Sequence, residues 1–148
     1  MARAKLIISI AFVLLLSSCT FGFNSEGYKH ETMPLDEAWK YVASFDYQWD
    51  DDGYWKSPHE FVADGGGDCE DFASTLMYYI GGGELVIIYF TSGQWAGAYH
   101  AVVRFDGKYI ESEMYGLYHD PSTFEIIDVY DYDTVMSYCT NYGTKDME

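Results

Sequence analysis

Three observations predict an α+β domain. Two segments with apolar residues at helical spacing fall between residues 35 and 80. Runs rich in Val, Ile, Tyr and Phe follow between 85 and 130. An Asp106-Gly107 pair joins two of those runs as a hairpin. No internal repeat is visible, and 148 residues bound the chain to one core-bearing domain. With 24 Asp+Glu against 8 Lys+Arg, the formal charge is -16. That balance excludes nucleic acid as a partner, because phosphate binding needs basic side chains. Acidic disordered segments are poor in aromatics, whereas this chain carries 15 Tyr, 9 Phe and 4 Trp. Its 3 Cys are too few for a dense disulfide framework.

Arg3 and Lys5 precede an apolar run from Leu6 to Leu16, broken only by Ser9. A spanning helix needs about 20 apolar residues, so the run reads as a signal peptide. Its end, Leu16-Ser17-Ser18-Cys19, resembles the lipobox of bacterial lipoproteins. The resemblance implies cleavage before Cys19 and diacylglycerol on its thiol. Three regions are therefore expected: a signal peptide over 1–18, a lipidated Cys19 with a polar tether over 19–31, and a domain over 32–148. The expected location is the cell envelope, at the outer membrane in a Gram-negative host, since Thr20 is not the retaining Asp.

Within the domain, Thr32 is a candidate helix cap, with Pro34 near the start and Asp36 and Glu37 in the first turn. Leu35, Trp39, Val42 and Phe45 then mark one helical face. Asp50-Asp51-Asp52-Gly53 ends this region, and Pro58-His59-Glu60 begins a short helical turn. Residues 64–68 (DGGGD) read as a flexible loop into a helix over 69–80, stopped by Gly81-Gly82-Gly83. Strands are expected over 85–91, 96–105, 108–114 and 123–130, with a short closing helix over 133–141.

Cys69 stands at the start of the second helix, where orphan N–H groups and the helix dipole favour a thiolate and offer an oxyanion donor. His100 lies in a strand among Ala, Val and Tyr. A two-residue Asp106-Gly107 turn pairs Phe105 with Lys108. Continued without interruption, that register sets His100 opposite Glu113, with Glu111 its diagonal neighbour. Either carboxylate can orient the imidazole, which completes the parts of a thiolate, base and orienter triad.

The segment GGGDCEDFA, preceded by Trp55-Lys56-Ser57-Pro58-His59-Glu60-Phe61, resembles the bacterial transglutaminase-like cysteine peptidases. HAVVRFDGKYIESE is similar to the His-to-Asp hairpin of the wider transglutaminase-like superfamily. The resemblance spans roughly residues 39–114. It implies a papain-like core with the nucleophile Cys69 on a helix packed against an antiparallel sheet, and His100 as base. The family's third residue is usually Asp; here it is Glu113 or Glu111, with Glu113 ranked first on register. The side-chain oxyanion donor of papain-like enzymes is not placed, Gln48 being the only Gln upstream.

Asp68, Glu70 and Asp71 crowd Cys69, and unneutralised carboxylates disfavour a thiolate. A bound cation resolves the conflict, Ca²⁺ being the natural partner of carboxylate oxygens outside the cell. Some members of the resembled family hold calcium beside the catalytic Cys, which implies Asp68 and Glu70 as ligands. The alternative is that these acids complement the helix N-terminus, form salt bridges or face solvent. No cofactor is required for the chemistry itself, Ca²⁺ being the one ion these acids would admit.

The expected activity is cleavage of a protein or peptide amide through a thioester on Cys69. Transfer of the acyl group to an amine and a non-catalytic binding lipoprotein are the alternatives. Cys139 is expected to be structural, with a Cys69–Cys139 disulfide the alternative. His30, His59 and His119, which lack metal-ligand spacing, are assigned to surface or turns. The acids from Asp128 to Asp133 are assigned to a solvated edge.

Overall fold

Pro34 opens the first helix. The computed structural model describes residues 32–49 and 53–142; the expected leader, Cys19, the tether and His30 lie outside them. Helix α1 (Leu35–Val42) has Pro34 as its N-cap, with φ -55 and ψ 142 and no side-chain cap, so Thr32 does not take the capping role expected of it. The fixed proline φ delivers the chain into the first turn without a hydroxyl. Ala38, Trp39 and Val42 are buried as the spacing predicts, and Phe45 packs beside them after the helix has ended.

Strand β1 (Asp46–Tyr47) follows, then helix α2 (Pro58–Asp64). The expected single turn at Pro58 is a full helix because Ser57 and Glu60 close a reciprocal capping box. The Glu60 N–H donates to Ser57 Oγ at 3.3 Å and the Ser57 N–H to Glu60 Oε2 at 2.6 Å. The glycine loop expected after it is also ordered. Gly66–Gly67 forms β2, parallel to β1, and both glycines are buried. A Cβ on Gly66 would sit 1.8 Å from the Asp46 carbonyl oxygen, so glycine here serves close backbone approach and not flexibility.

Helix α3 (Cys69–Ile80) ends at Gly81 in the left-handed conformation. Next come β3 (Glu84–Phe90), β4 (Tyr99–Phe105), β5 (Lys108–Ile110), β6 (Tyr118–His119), a 3₁₀ turn at Pro121–Thr123, β7 (Phe124–Asp131) and α4 (Tyr132–Tyr142). The antiparallel sheet runs β6-β5-β4-β3-β7. β4 starts at Tyr99 and not at residue 96, because Gly97, at φ 92, turns the chain back onto Phe90.

Side chains alternate across this sheet. Leu85, Ala101, Val103 and Ile110 face the helices, where Trp39, Phe61, Phe72, Leu76 and Met77 close the main core. Val86, Ile88 and Val102 face the other way and are covered by Phe90, Phe124 and Tyr109. Each fully buried large apolar side chain contributes about 1.5–3 kcal/mol. The helix bearing Cys69 is thereby clamped on β4, the strand bearing His100.

Candidate active site

The N-terminus of α3 is built by its own acids. Asp71 Oδ2 accepts the Asp68 N–H at 3.3 Å and Asp71 Oδ1 accepts the Lys56 N–H at 2.7 Å. Asp71 therefore ties the segment before α2 to the helix start. Burial pushes its carboxyl up to about 6, against the pull of those two amides. A Cβ on Gly67 would meet Asp71 Oδ2 at 2.3 Å, so this glycine makes room for the cap.

Cys69 is the first residue of that helix. Its thiol donates to Glu70 Oε2 at 3.2 Å, with the Ala101 backbone on β4 beside it. Burial, followed by the Glu70 carboxylate, pushes the thiol well above its ordinary range, and Asp68 adds to this. The expected favouring of a thiolate by the helix start is thus outweighed by desolvation and neighbouring charge. Cys69 and Cys139 are both free thiols, so no disulfide joins them; Cys139 is buried and raised to about 11, chiefly by burial.

A cleft of about 380 Å³ brings Cys69 together with His100, Glu70, Tyr99, Trp49 and Trp55. Trp49 is 75% exposed at its rim, an apolar surface available to a bound chain. Tyr47 belongs to the same neighbourhood. Its hydroxyl is pushed up by burial and by the charges of Cys69, Glu113, Asp68 and Glu70. Gln48 is brought to Gly67 through its backbone, yet its side-chain amide donates to the Asp64 carbonyl at 3.2 Å.

The hairpin corrects the expected ranking of the two glutamates. The predicted register holds at Phe105↔Lys108, Arg104↔Tyr109 and Val103↔Ile110, and there β5 ends. Beyond it the Glu111 N–H turns to the Leu117 carbonyl, and the ladder never reaches Glu113. It is Glu111 Oε2 that accepts from His100 Nε2, at 2.7 Å. Glu111 Oε1 accepts the Glu113 N–H at 3.1 Å, and its backbone carbonyl accepts Trp39 Nε1–H at 2.6 Å.

Burial opposes the ionisation of Glu111, but bonds from His100 and His119 overcome it and hold the carboxyl down at about 2. Burial opposes protonation of His100 as well; the Glu111 carboxylate reverses the sign and holds this imidazole above its ordinary range. Glu113 takes the opposite course, raised to about 7 by burial and by the charge of Glu111.

His119 corrects its assignment to surface or turn. It is 7% exposed on β6, and its Nε2 lies 2.8 Å from the Glu111 oxygen that also holds His100. The signal for it was the Tyr118-His119 pair returning along β5, too short a run to announce a strand. His59 lies in α2 against the Tyr78 ring, away from these groups.

No protein-family model and no curated protein matches the chain. Among solved structures it is similar to LapG of Legionella pneumophila in three forms. The calcium-bound form shares 23% identity at a TM-score of 0.52, covering 70% of this chain and 72% of that one. A second LapG structure gives 23%, 0.52, 68% and 67%, and the EGTA-treated form gives 20%, 0.53, 74% and 81%. The shared feature is the fold, helices packed on an antiparallel sheet.

Proposed function

We infer that this chain is a transglutaminase-like cysteine peptidase acting on a protein or peptide amide. The observation that carries the reading is one cleft holding Cys69, at a helix N-terminus, beside His100, whose far nitrogen is fixed on Glu111 at 2.7 Å. With the Nε2 proton held on Glu111, Nδ1 keeps the lone pair that accepts the Cys69 proton. The sulfur then attacks the amide carbonyl, His100 returns the proton to the leaving amine, and water hydrolyses the thioester. Backbone N–H groups at the start of α3 are the oxyanion donors available to Cys69. Glu111 holds His100; Glu113 lies beside it without that bond.

The carboxylates flanking the thiol fit a calcium ion by donor chemistry. Asp68 and Glu70 stand on either side of Cys69 and offer carboxylate oxygens to such an ion, while Asp71 holds two backbone amides. The similarity to a calcium-bound LapG supports calcium as the ion. Bound there, the cation would neutralise the charges that raise the thiol. Attachment to the cell envelope through lipid on Cys19, with cleavage after residue 18, rests on the sequence of residues 3–19.

Iodoacetamide labelling at pH 6, with calcium present, tests the catalytic reading. Cys69 should react faster than a free thiol, and His100→Ala should abolish the excess. The thiol's bond to Glu70 favours a second reading, a binding lipoprotein with an unprimed cysteine. Labelling no faster than a free thiol, and unchanged in His100→Ala, would establish that one instead.

A further inference from the structure

The cavity on the far side of His100 belongs to a different chemistry. His100 Nε2, Glu111 Oε2 and His119 Nε2 lie within 4.8 Å of one another. They face a cavity of about 170 Å³ walled by Phe90, Trp95 and Met114. Glu113 borders the same cavity, and its buried Oε1 has no hydrogen-bond partner among the described residues. Two imidazoles and one carboxylate thus converge on a space large enough for water or an ion, with Glu113 at its border.

We propose that His100, Glu111 and His119 form a binding site for a divalent transition-metal ion of the Zn²⁺ type, and that occupation of this site switches off the base proposed above. The donor set selects the ion: two imidazoles and a carboxylate suit zinc and its neighbours, whereas calcium takes oxygen ligands alone. The three ligand atoms already meet at 2.7 and 2.8 Å across the two hydrogen bonds. Bonds of about 2.0–2.2 Å at tetrahedral angles need ligand separations of about 3.3–3.6 Å, so each of these two contacts opens by about 0.5–0.9 Å. The cation neutralises the Glu111 carboxylate, and Glu113 borders the same cavity. The cavity leaves room for a water ligand.

The consequence for Cys69 follows from proton placement. Without metal, His100 carries its proton on Nε2 and offers Nδ1 to the thiol. A metal on Nε2 takes the lone pair of that nitrogen: the neutral ring's Nε2 proton moves to Nδ1, or an imidazolium loses its Nε2 proton to solvent, and in both cases the ring keeps Nδ1–H. Such a ring donates and no longer accepts. This effect on reactivity rests on the catalytic reading of Cys69; metal binding itself does not.

Two measurements separate the claims. Equilibrium dialysis of Zn²⁺ against the full-length chain carrying Cys19→Ser and Cys69→Ser should give one bound ion that calcium does not displace. His119→Gln and Glu111→Gln should each weaken it by at least about tenfold, the cost of even an outer-shell defect. Circular dichroism of both variants, with His119→Asn as a second replacement, guards against a fold defect. Unchanged zinc affinity in folded His119→Gln and His119→Asn overturns the site. With Cys69 restored, Zn²⁺ should suppress labelling by at least about tenfold, reversibly on chelation, and less in His119→Gln. Zinc bound without suppression overturns the switch and leaves the site standing. Labelling that never exceeds a free thiol, with zinc still bound, defeats only the catalytic reading.

Discussion

Glu111→Gln probes the joint that holds the site together. Glu111 is 5% exposed and accepts from two imidazoles, and its carboxyl falls from 4.5 to about 2 on folding. At about 1.4 kcal/mol per tenfold, that displacement corresponds to about 3 kcal/mol of stability. The sign is fixed by direction. A depressed carboxyl stabilises fully above its unfolded value of 4.5, and the effect is lost as pH falls toward about 2. His100 is raised, so its contribution is complete below 6.5 and lost as pH rises through its folded value. Both are present together between 4.5 and 6.5. Urea denaturation of the parent and Glu111→Gln across pH 2–9 should show a difference of about 3 kcal/mol in that window, shrinking on either side. A difference below about 1 kcal/mol, or one flat with pH, refutes the assignment of Glu111 as the carboxylate both imidazoles share.

Two further outcomes follow from the helix start. Added Ca²⁺ should raise the melting temperature and speed Cys69 labelling, EGTA should reverse both, and Asp68→Asn with Glu70→Gln should abolish the response; no response in the parent removes calcium from the site. Gly66→Ala should destabilise the fold by about 2 kcal/mol or more, read by urea titration, because its Cβ would overlap the Asp46 carbonyl at a φ of 145; a change under about 0.5 kcal/mol would show that the β1–β2 pairing yields.

Much of this architecture was legible in residues 35–142, for identifiable reasons. Helices α1 and α3 announce themselves by apolar spacing, and α3 by its closing glycines. The Asp106-Gly107 turn set three β4–β5 pairs correctly, because a two-residue turn dictates its nearest partners. It could not say where the ladder stops. That depended on Glu111 turning toward Leu117, a tertiary choice, and it exchanged the two glutamates. The glycines before Cys69 were misread as flexible because composition does not distinguish a mobile loop from a tight backbone approach. His119 was lost for want of periodicity in a two-residue strand. The α2 cap was available as Ser57-x-x-Glu60 and needed only the spacing rule. The leader and tether stay an expectation of the sequence.

At the outer margin of the sheet, β7 pairs among the described residues with β3 along one side only. Ile126, Ile127 and Val129 are each more than 40% exposed, and a lone row of amides and carbonyls beside such residues is a template for stacking between molecules. The register shift between Ile87 and Ile88 breaks that row, and Glu125, Asp128 and Asp131 place negative charge along it. Copies of this chain meeting edge to edge would bring like charges together on a kinked margin. Part of the -16 charge, which looked like undirected solvated surface, therefore guards the molecule against coagulating with itself.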